Sequence, residues 1–433
     1  MPTKAECKQL DATIAAFHTH YASPANGWGH QRWHDSLYPA LTKPTRYAAL
    51  VNQFVPRADV ERALVAEVPE DELRVTELPA VRDEDEDEGE SERERDGDEK
   101  GKGKAKQAEK HLTFPPPKPT TVHSPPQSSQ QLLTHWNMDA ASALAAHMLD
   151  VRPGDKVLDL CSAPGGKSVA LSQIIFANLH HDQHRQQQPT TPTTTNPSGD
   201  NPPGGCLHTN EPDPARAKRL LGNLRCYLPR TLFAPPAKAV QTFTLDASVT
   251  PRFLAALPHG AARYDRVLLD APCSSERHII QAHARAAAAG RVADDMARWR
   301  VGASRALQKT QAGLLVTALR AVRTGGRVLY STCSVERGEN DGVVERVKET
   351  LEKERRKGRV WVRGWDVRVE MGQKGERVGG GAAQREAWER VETRLELWAE
   401  ETDYGRIAVP DVGEGRWGPL FFCVLTKVER ADR

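Results

Sequence analysis

Two cysteines of the chain sit in matched surroundings. One closes Asp270-Ala-Pro-Cys273, just after the apolar run Arg266 to Leu269. The other closes Ser331-Thr-Cys333, just after Arg327 to Tyr330. Each run reads as a short buried strand, so each thiol is expected just past a strand end. A single cysteine there is usually packing. Two in equivalent loops of neighbouring strands would face one cavity. A free thiol has a pKa of ~8.5 and attacks only as the thiolate, so it needs a cation or a helix N-terminus beside it.

A third segment could supply both. The strand candidate Lys156-Val-Leu-Asp-Leu160 runs into Asp159-Leu-Cys-Ser-Ala-Pro-Gly-Gly-Lys167. Gly165 and Gly166 free the backbone to approach a ligand and to open the next helix, whose N–H groups favour a carboxylate or phosphate. Glu211 follows Leu207-His-Thr-Asn, where an acid at a second strand end usually grips a ribose. It lies further along than the ~20 residues of a compact unit, and a polar insertion accounts for the excess. Asp246 ends the third strand candidate and could accept from an adenine amine. The loop is not G-x-G-x-x-G, which disfavours a dinucleotide. Loop plus two acids fits S-adenosylmethionine instead. A thiol beside that cofactor suits methylation at carbon 5 of a pyrimidine. Sulfur adding to carbon 6 makes the unreactive carbon 5 enamine-like, and loss of the carbon-5 proton and of sulfur restores the ring. Asp270 could hold the base, which must leave any stack to reach the sulfur.

The elements that would position these groups alternate strand and helix. Helices are expected over Met138 to Leu149, Ser168 to Leu179, Pro214 to Tyr227 and, as one long region, Val292 to Val322. Strands are expected at 156–160, 207–209, 240–245, 266–269, 327–330, 360–362 and 420–425. That alternation argues an α/β fold with a parallel sheet covered on both faces. Ahead of it, residues 1–68 read as a small helical N-terminal module. Trp28, Trp33, Leu37, Tyr38, Leu41 and Phe54 recur at helical spacings, and Pro44 can open a helix through Tyr47 to Phe54. Residues 69–129 read as a disordered acidic and Pro-rich linker, and 130–430 as the main domain with insertions at about 180–205 and 372–386.

The chain has 433 residues, 38% hydrophobic and 27% charged, with 32 Gly and 30 Pro, which predicts long irregular stretches. No apolar run is long enough for a membrane span, and Met1 to Phe17 lacks a secretory h-region. Seven cysteines without C-x-x-C argue against both a disulfide framework and a structural zinc site. The formal net charge of +2 hides an asymmetry. Asp83 to Glu99 carries twelve acids against Arg93 and Arg95, a net of −10, so the rest is +12. A basic body suggests a polyanionic partner such as nucleic acid, although scattered surface Lys and Arg would give the same balance.

Three motifs in order, Asp159 to Lys167, Asp270-Ala-Pro-Cys273 and Ser331-Thr-Cys333-Ser-Val-Glu336 followed by Glu339-Asn340, resemble the Sun/Nop-type (RsmB-like) RNA cytosine-5 methyltransferases. Met138-Asp-Ala-Ala-Ser142 and Trp417-Gly-Pro-Leu420 agree. Within the family, Trp28 to Phe54 and Asp270 to His278 are most similar to the mitochondrial subgroup acting on small-subunit ribosomal RNA or a transfer RNA. The resemblance implies a Rossmann-like S-adenosylmethionine-dependent methyltransferase fold. It implies Cys333 as nucleophile and Cys273 in breakdown of the covalent adduct; Lys167, as a cation that could activate the thiol, and Asp270, as holder of the base, are the catalytic candidates the residues themselves offer beside them. Cofactor contacts carried over are Cys161, Ser162, Ala163, Pro164, Gly165, Gly166, Lys167, Glu211, Asp246 and Asp270. Ser162 departs from the family's usual Ala. DNA cytosine methyltransferases attack with their Pro-Cys cysteine, so the residues alone leave the choice of nucleophile open.

Other features are weaker. Arg277 and His278 could touch RNA phosphate or line a solvated loop. Arg216, Lys218, Arg219 and Arg225 read as a wet helix face. Cys226 and Cys423 are expected in the core, and Cys206 at a strand start. The fifteen His show no ligand spacing, so no metal is expected. The expected partner is RNA, ribosomal or transfer, with a protein partner or a ribosomal precursor for targeting and no membrane. A non-catalytic RNA-binding ribosome-assembly factor is the alternative, disfavoured by intact catalytic positions, and DNA methylation a third. The subgroup points to the mitochondrion, with nucleus, nucleolus or cytoplasm as alternatives. The first twenty residues have Lys4 and Lys8 but no Arg, unlike a presequence, and Lys100 to Lys110 reads as a solvated spacer that could also serve nuclear import.

Overall fold

The computed structural model describes residues 4–24, 27–67, 74–77, 110–113, 132–180, 204–236, 238–374, 395–413 and 417–430. The acidic run and most of the insertions therefore lie outside the described residues.

The strands in chain order are β1 (Ala48–Val51), β2 (Arg74–Glu77), β3 (Lys110–Thr113), β4 (His135–Met138), β5 (Lys156–Asp159), β6 (Cys206–Asn210), β7 (Val240–Phe243), β8 (Tyr264–Asp270), β9 (Val322–Thr332), β10 (Trp365–Val369), β11 (Glu400–Glu401), β12 (Arg406–Ala408) and β13 (Leu420–Glu429). The main sheet runs β11-β12-β13-β9-β8-β5-β6-β7, with β10 also on β13. From β7 to β9 every pair is parallel, and β13 joins β9 antiparallel. The chain goes from β5 outward through β6 and β7, then returns to β8 on the other side. The order therefore reverses between β5 and β8, where an open α/β sheet forms its ligand crevice.

Each central strand is buried on both faces, as a parallel sheet requires. Side chains alternate between two apolar clusters. Leu158, Val267, Leu269, Val328, Tyr330 and Phe421 enter one. Val157, Leu207, Leu268, Leu329 and Phe422 enter the other. The N-terminal residues have no core of their own. Phe17, Tyr21, Trp33 and Leu37 fill the first cluster, while Phe54, Val60 and Leu64 fill the second.

Several expected elements differ. Tyr47 to Phe54 is not a helix: Ala48–Val51 is a strand, because its consecutive buried residues pair antiparallel with His135–Met138. The linker interval contains β2 and β3, which complete a second sheet of order β2-β3-β1-β4. The long helical region splits into Asp294–Arg298 and Ser304–Ala321, with Gly302 at φ 79 between them. Val360–Val362 is a 3-10 turn, and the strand begins only after Gly364, at φ 76. Cys226 is exposed, not core, whereas Cys423 is buried. Among the described residues no helix is long and apolar enough to cross a membrane.

Candidate active site

The turn after β5 is built by packing as much as by ligand demand. Gly165 caps the helix Gly166–Ile175 in the left-handed region at φ 118. A Cβ on Gly166 would lie 2.8 Å from Trp136 Nε1 of β4, so Trp136 already fills the space glycine leaves. Ser162 is buried, and its hydroxyl donates to Asp159 O at 2.8 Å and accepts from Asn210 N at 3.1 Å. Its extra oxygen over the family's Ala thus ties β5 to β6. Cys161 is half-buried, and burial, followed by the Asp159 charge, holds its thiol well above the usual range. Among the thiols named so far it is unsuited to attack.

Lys167, the second residue of that helix, reaches across the switch point. Its Nζ donates to Asp270 Oδ2 at 2.8 Å and to Ser142 Oγ at 3.1 Å. Burial works against its charge, but the Asp270 carboxylate and its hydrogen bond overcome burial and raise the lysine pKa. Asp270 Oδ1 accepts from Ser331 Oγ at 2.7 Å. The β5 turn, the end of β8 and the end of β9 are thus joined by one polar chain.

The two thiols lie directly beyond it. Cys273 Sγ and Cys333 Sγ are 3.0 Å apart. Ser275 Oγ is 3.0 Å from Cys333 Sγ and 3.4 Å from Cys273 Sγ. The pair is electrically asymmetric. Hydrogen bonding from Cys273 lowers the Cys333 pKa against the effect of burial, with Ser275 helping. The same hydrogen bond, together with burial, raises Cys273 well above the usual range. Of the two, Cys333 is the sulfur that ionises more readily. Cys333 is also the more exposed of the two.

Beneath the thiols is a network that sequence reasoning missed. Glu276 is fully buried. Its Oε1 accepts from Tyr21 Oη at 2.9 Å and from Ser334 Oγ at 3.0 Å, and its Oε2 from Val335 N at 3.0 Å. Glu339 Oε2 accepts from Ser274 N at 3.1 Å and from Gln311 Nε2 at 2.8 Å. Asn340 accepts from Thr332 Oγ1 at 2.5 Å and donates to Ser334 O at 3.0 Å. These residues clamp the two cysteine loops together. The only sequence signal was the acid and amide following Cys333, and nothing marked Glu276 as their partner.

Of the expected cofactor acids, Glu211 is buried at the end of β6, with Oε1 accepting from Asp213 N at 3.1 Å and Oε2 3.3 Å from Arg216. Asp246 is exposed beyond β7, and hydrogen bonds from Ser248 hold its carboxyl below the usual range. Asp159 adds a signal the motif did not carry. Ser168 donates to its Oδ2 at 2.5 Å, while its Oδ1 is buried with no hydrogen-bond partner. Burial pushes its pKa up to about 6. An unpartnered buried carboxylate oxygen at the crevice fits a ligand that brings an ammonium, so the residues present fit S-adenosylmethionine.

Arg277 is not available to phosphate: it is buried and donates to Gly418 O and to Lys43 O and Pro44 O, each of the latter at 3.2 Å. It joins the N-terminal segment to the Trp417-Gly-Pro motif. Asp139 does the same for Met138-Asp, accepting from Gly418 N at 2.9 Å. His278 lines a cavity of about 340 Å³ beside Ser274, together with His20, Tyr21, Trp299 and Glu336. Lys218, Arg219 and Arg225 are exposed. No metal was expected, yet Cys206, His208 and His259 converge.

The geometry has close counterparts among known proteins. A profile of the family described as "16S rRNA methyltransferase RsmB/F" matches residues 193–377. A Xenopus tropicalis protein named "5-cytosine rRNA methyltransferase NSUN4" is 30% identical over 69% of this chain and 57% of its own length. Over these residues the chain is similar to the Sun/Nop-type (RsmB-like) family. A Danio rerio protein named "tRNA (cytosine(34)-C(5))-methyltransferase, mitochondrial" is 35% identical over 53% of this chain and 50% of its own. The chain thus spans about half the length of these curated relatives. The crystal structure of a methyltransferase homologue from Pyrococcus horikoshii has a TM-score of 0.52 at 18% identity, covering 99% of this chain and all of that one. At that identity the likeness shows the fold, a Rossmann-like methyltransferase fold.

Proposed function

We propose that this chain is a Sun/Nop-type, S-adenosylmethionine-dependent RNA cytosine-5 methyltransferase with Cys333 as nucleophile. The observation that carries this is the 3.0 Å approach of Cys333 to Cys273 beside the Lys167–Asp270 pair. Bound cofactor supplies an electrophilic methyl group. The turn 161–167, Glu211, Asp246 and the free oxygen of Asp159 are the residues that would hold it.

The chain's own residues then divide the work. Cys333, held as thiolate by Cys273 and Ser275, adds to carbon 6 and loads electron density onto carbon 5. Asp270, fixed by Lys167 and Ser331, orients the base edge. Cys273 acts second. Its high pKa derives first from its hydrogen bond to the Cys333 sulfur. Once that sulfur is bound to carbon the bond is gone; Cys273 then gives its own proton to solvent, and the resulting thiolate takes the carbon-5 proton. The sulfur–carbon-6 bond then breaks and returns the Cys333 thiolate. Release thereby follows attack without rearrangement of the loops.

Purified chain with methyl-labelled cofactor should modify cytosine in RNA and not in DNA. Cys333→Ala should lose activity by on the order of 10⁴-fold, and an active Cys333→Ala would overturn the assignment. Cys273→Ala should accumulate a denaturant-resistant protein–RNA adduct. The relatives' names include both ribosomal and transfer RNA, and bisulfite sequencing of both pools with and without the gene separates them. The mitochondrion is the proposed compartment, from the Danio rerio relative's name, and a tagged chain tests it by fractionation.

A further inference from the structure

The amino edge of the main sheet carries a cluster that the methylation chemistry does not use. Cys206 and His208 are two residues apart on β6, so their side chains leave the same face. His259 comes from the loop that leads into β8. One ligand-capable atom from each residue lies within 4.8 Å of the others, and Cys206 Sγ is 3.2 Å from His259 Nε2. The rings of His208 and His259 stack at 5.1 Å between centroids.

We propose that Cys206, His208 and His259 form a binding site for a divalent cation of the zinc class. Zinc takes sulfur at about 2.3 Å and imidazole nitrogen at about 2.0–2.1 Å, which sets ligand atoms roughly 3.3–3.6 Å apart in a tetrahedron. The Cys206–His259 distance is already close to that spacing. The outer contacts are also those of a metal-held histidine. His208 Nδ1 is 2.7 Å from the hydroxyl of the fully buried Tyr264, which fixes the ring, and its Nε2 meets the Gln241 side-chain amide at a long 3.4 Å, a contact that a metal would replace. The preceding Gly205, at φ 90, packs closely on Gly154 and Asp155, where a Cβ would meet them at 2.5–2.6 Å. Binding would form a metal–sulfur bond and release the thiol proton to solvent. Lys156 and Asp265 act on Cys206 in opposite directions, so neither alone sets the local charge. Three protein ligands leave a fourth position for water.

The site is distinct from the catalytic thiols. β6 runs five residues from Cys206 to Asn210, which places it roughly 13 Å from the catalytic edge at about 3.3 Å per residue. It would tie the entry of β6 to the loop before β8.

The test is cobalt titration of the full-length chain, reading the thiolate-to-cobalt charge-transfer band, with zinc content measured in parallel. One equivalent should bind and produce the band. Cys206→Ser and His259→Ala should each lose it, while Cys226→Ser and the double variant Cys273→Ala/Cys333→Ala should keep it. Tyr264→Phe should weaken binding by about 10-fold or more. His259 lies in a half-buried loop, and circular dichroism of His259→Ala separates lost ligation from lost fold. Absence of the band in folded wild-type chain overturns the proposal. So does a band that survives Cys206→Ser or disappears with Cys273 and Cys333. None of these readings depends on methyl transfer.

Discussion

The two edges of the central sheet treat charge in opposite ways. At the amino edge, acids and bases close on one another. Arg327 reaches Asp150 at 2.9 Å and Glu370 at 3.3 Å. Arg266 Nε donates to Asp150 O at 2.7 Å, and Asp265 accepts from Arg323 at 2.6 Å and Lys156 N at 2.8 Å. At the carboxyl edge acids outnumber bases. Asp159 and Asp270 act on Lys167, Glu276 and Glu339 lie beneath the thiols, and the buried Arg277 turns away to the N-terminal segment. Buried oxygens of Asp159, Gln311 and Glu339 have no hydrogen-bond partner there. Buried polar atoms are normally satisfied. At the carboxyl edge these oxygens have neither a hydrogen bond nor a cation within salt-bridge distance among the described residues, as a ligand site requires, whereas at the amino edge Glu370 Oε2, although without a hydrogen bond, is met by Arg327.

The largest expected effect that tests this contrast is at Lys167. Replacing it by Met leaves Asp270 facing other acids without a cation. We expect methyl transfer to fall by about 10²–10³-fold, the usual cost of one lost electrostatic contact in a reacting site. Retained activity in Lys167→Met would show that Asp270 does not need the ammonium. At the other edge the effect should appear in stability and not in turnover. Asp150→Asn keeps a residue type that tolerates its left-handed backbone, φ 53. It leaves Arg327 with Glu370 alone and should cost about 3 kcal/mol by denaturant unfolding, the low end for breaking a buried pair. Activity per folded molecule should be unchanged. A loss of turnover without a loss of stability would erase the division between the edges.

What could be read from the sequence divides along the same line of locality. The central strands and the Asp159–Lys167 turn announce themselves through short apolar runs and glycine punctuation, both local signals. Strand β1 does not, because Ala48–Val51 becomes a strand only through pairing with His135–Met138. Arg277 looks like a phosphate contact in sequence, but its partners come from residues 43, 44 and 418. Glu276 and Glu339 meet only because the β8 and β9 loops adjoin. Cys206, His208 and His259 show no ligand spacing, since the third residue arrives from a different loop. The placement of the two thiols beyond neighbouring strands was legible. Their electrical asymmetry was not, because it depends on Ser275 and on the direction of one hydrogen bond.

Glu339 offers a smaller effect with a defined sign. Burial, aided by the Glu276 charge, pushes its pKa up to about 7 from 4.5. The folded chain therefore holds a proton that the unfolded chain releases above about 4.5. Stability from this group is present below that value and is lost as pH rises through about 7, up to about 3 kcal/mol. The thermal midpoint of wild type should fall between roughly pH 5 and 7.5. Glu339→Gln should flatten that slope, and equal slopes in the two proteins would mean that Glu339 is ionised throughout.

The smallest effect separates the two donors that hold the Cys333 thiolate. Ser275 occupies the left-handed region at φ 53, so glycine is the substitution that removes the hydroxyl without straining the backbone. Losing one hydrogen bond to a thiolate costs about 0.5–1.5 kcal/mol. Alkylation of Cys333 in Ser275→Gly should then slow by about 2–10-fold at neutral pH, because only the thiolate reacts. Exposed Cys226, which lies outside the site, should react at an unchanged rate and serves as the internal reference. If Cys333 keeps its wild-type rate, Cys273 alone maintains the charge. Removal of Cys273 would then slow attack as well as release, and the adduct in Cys273→Ala would form slowly even though it persists.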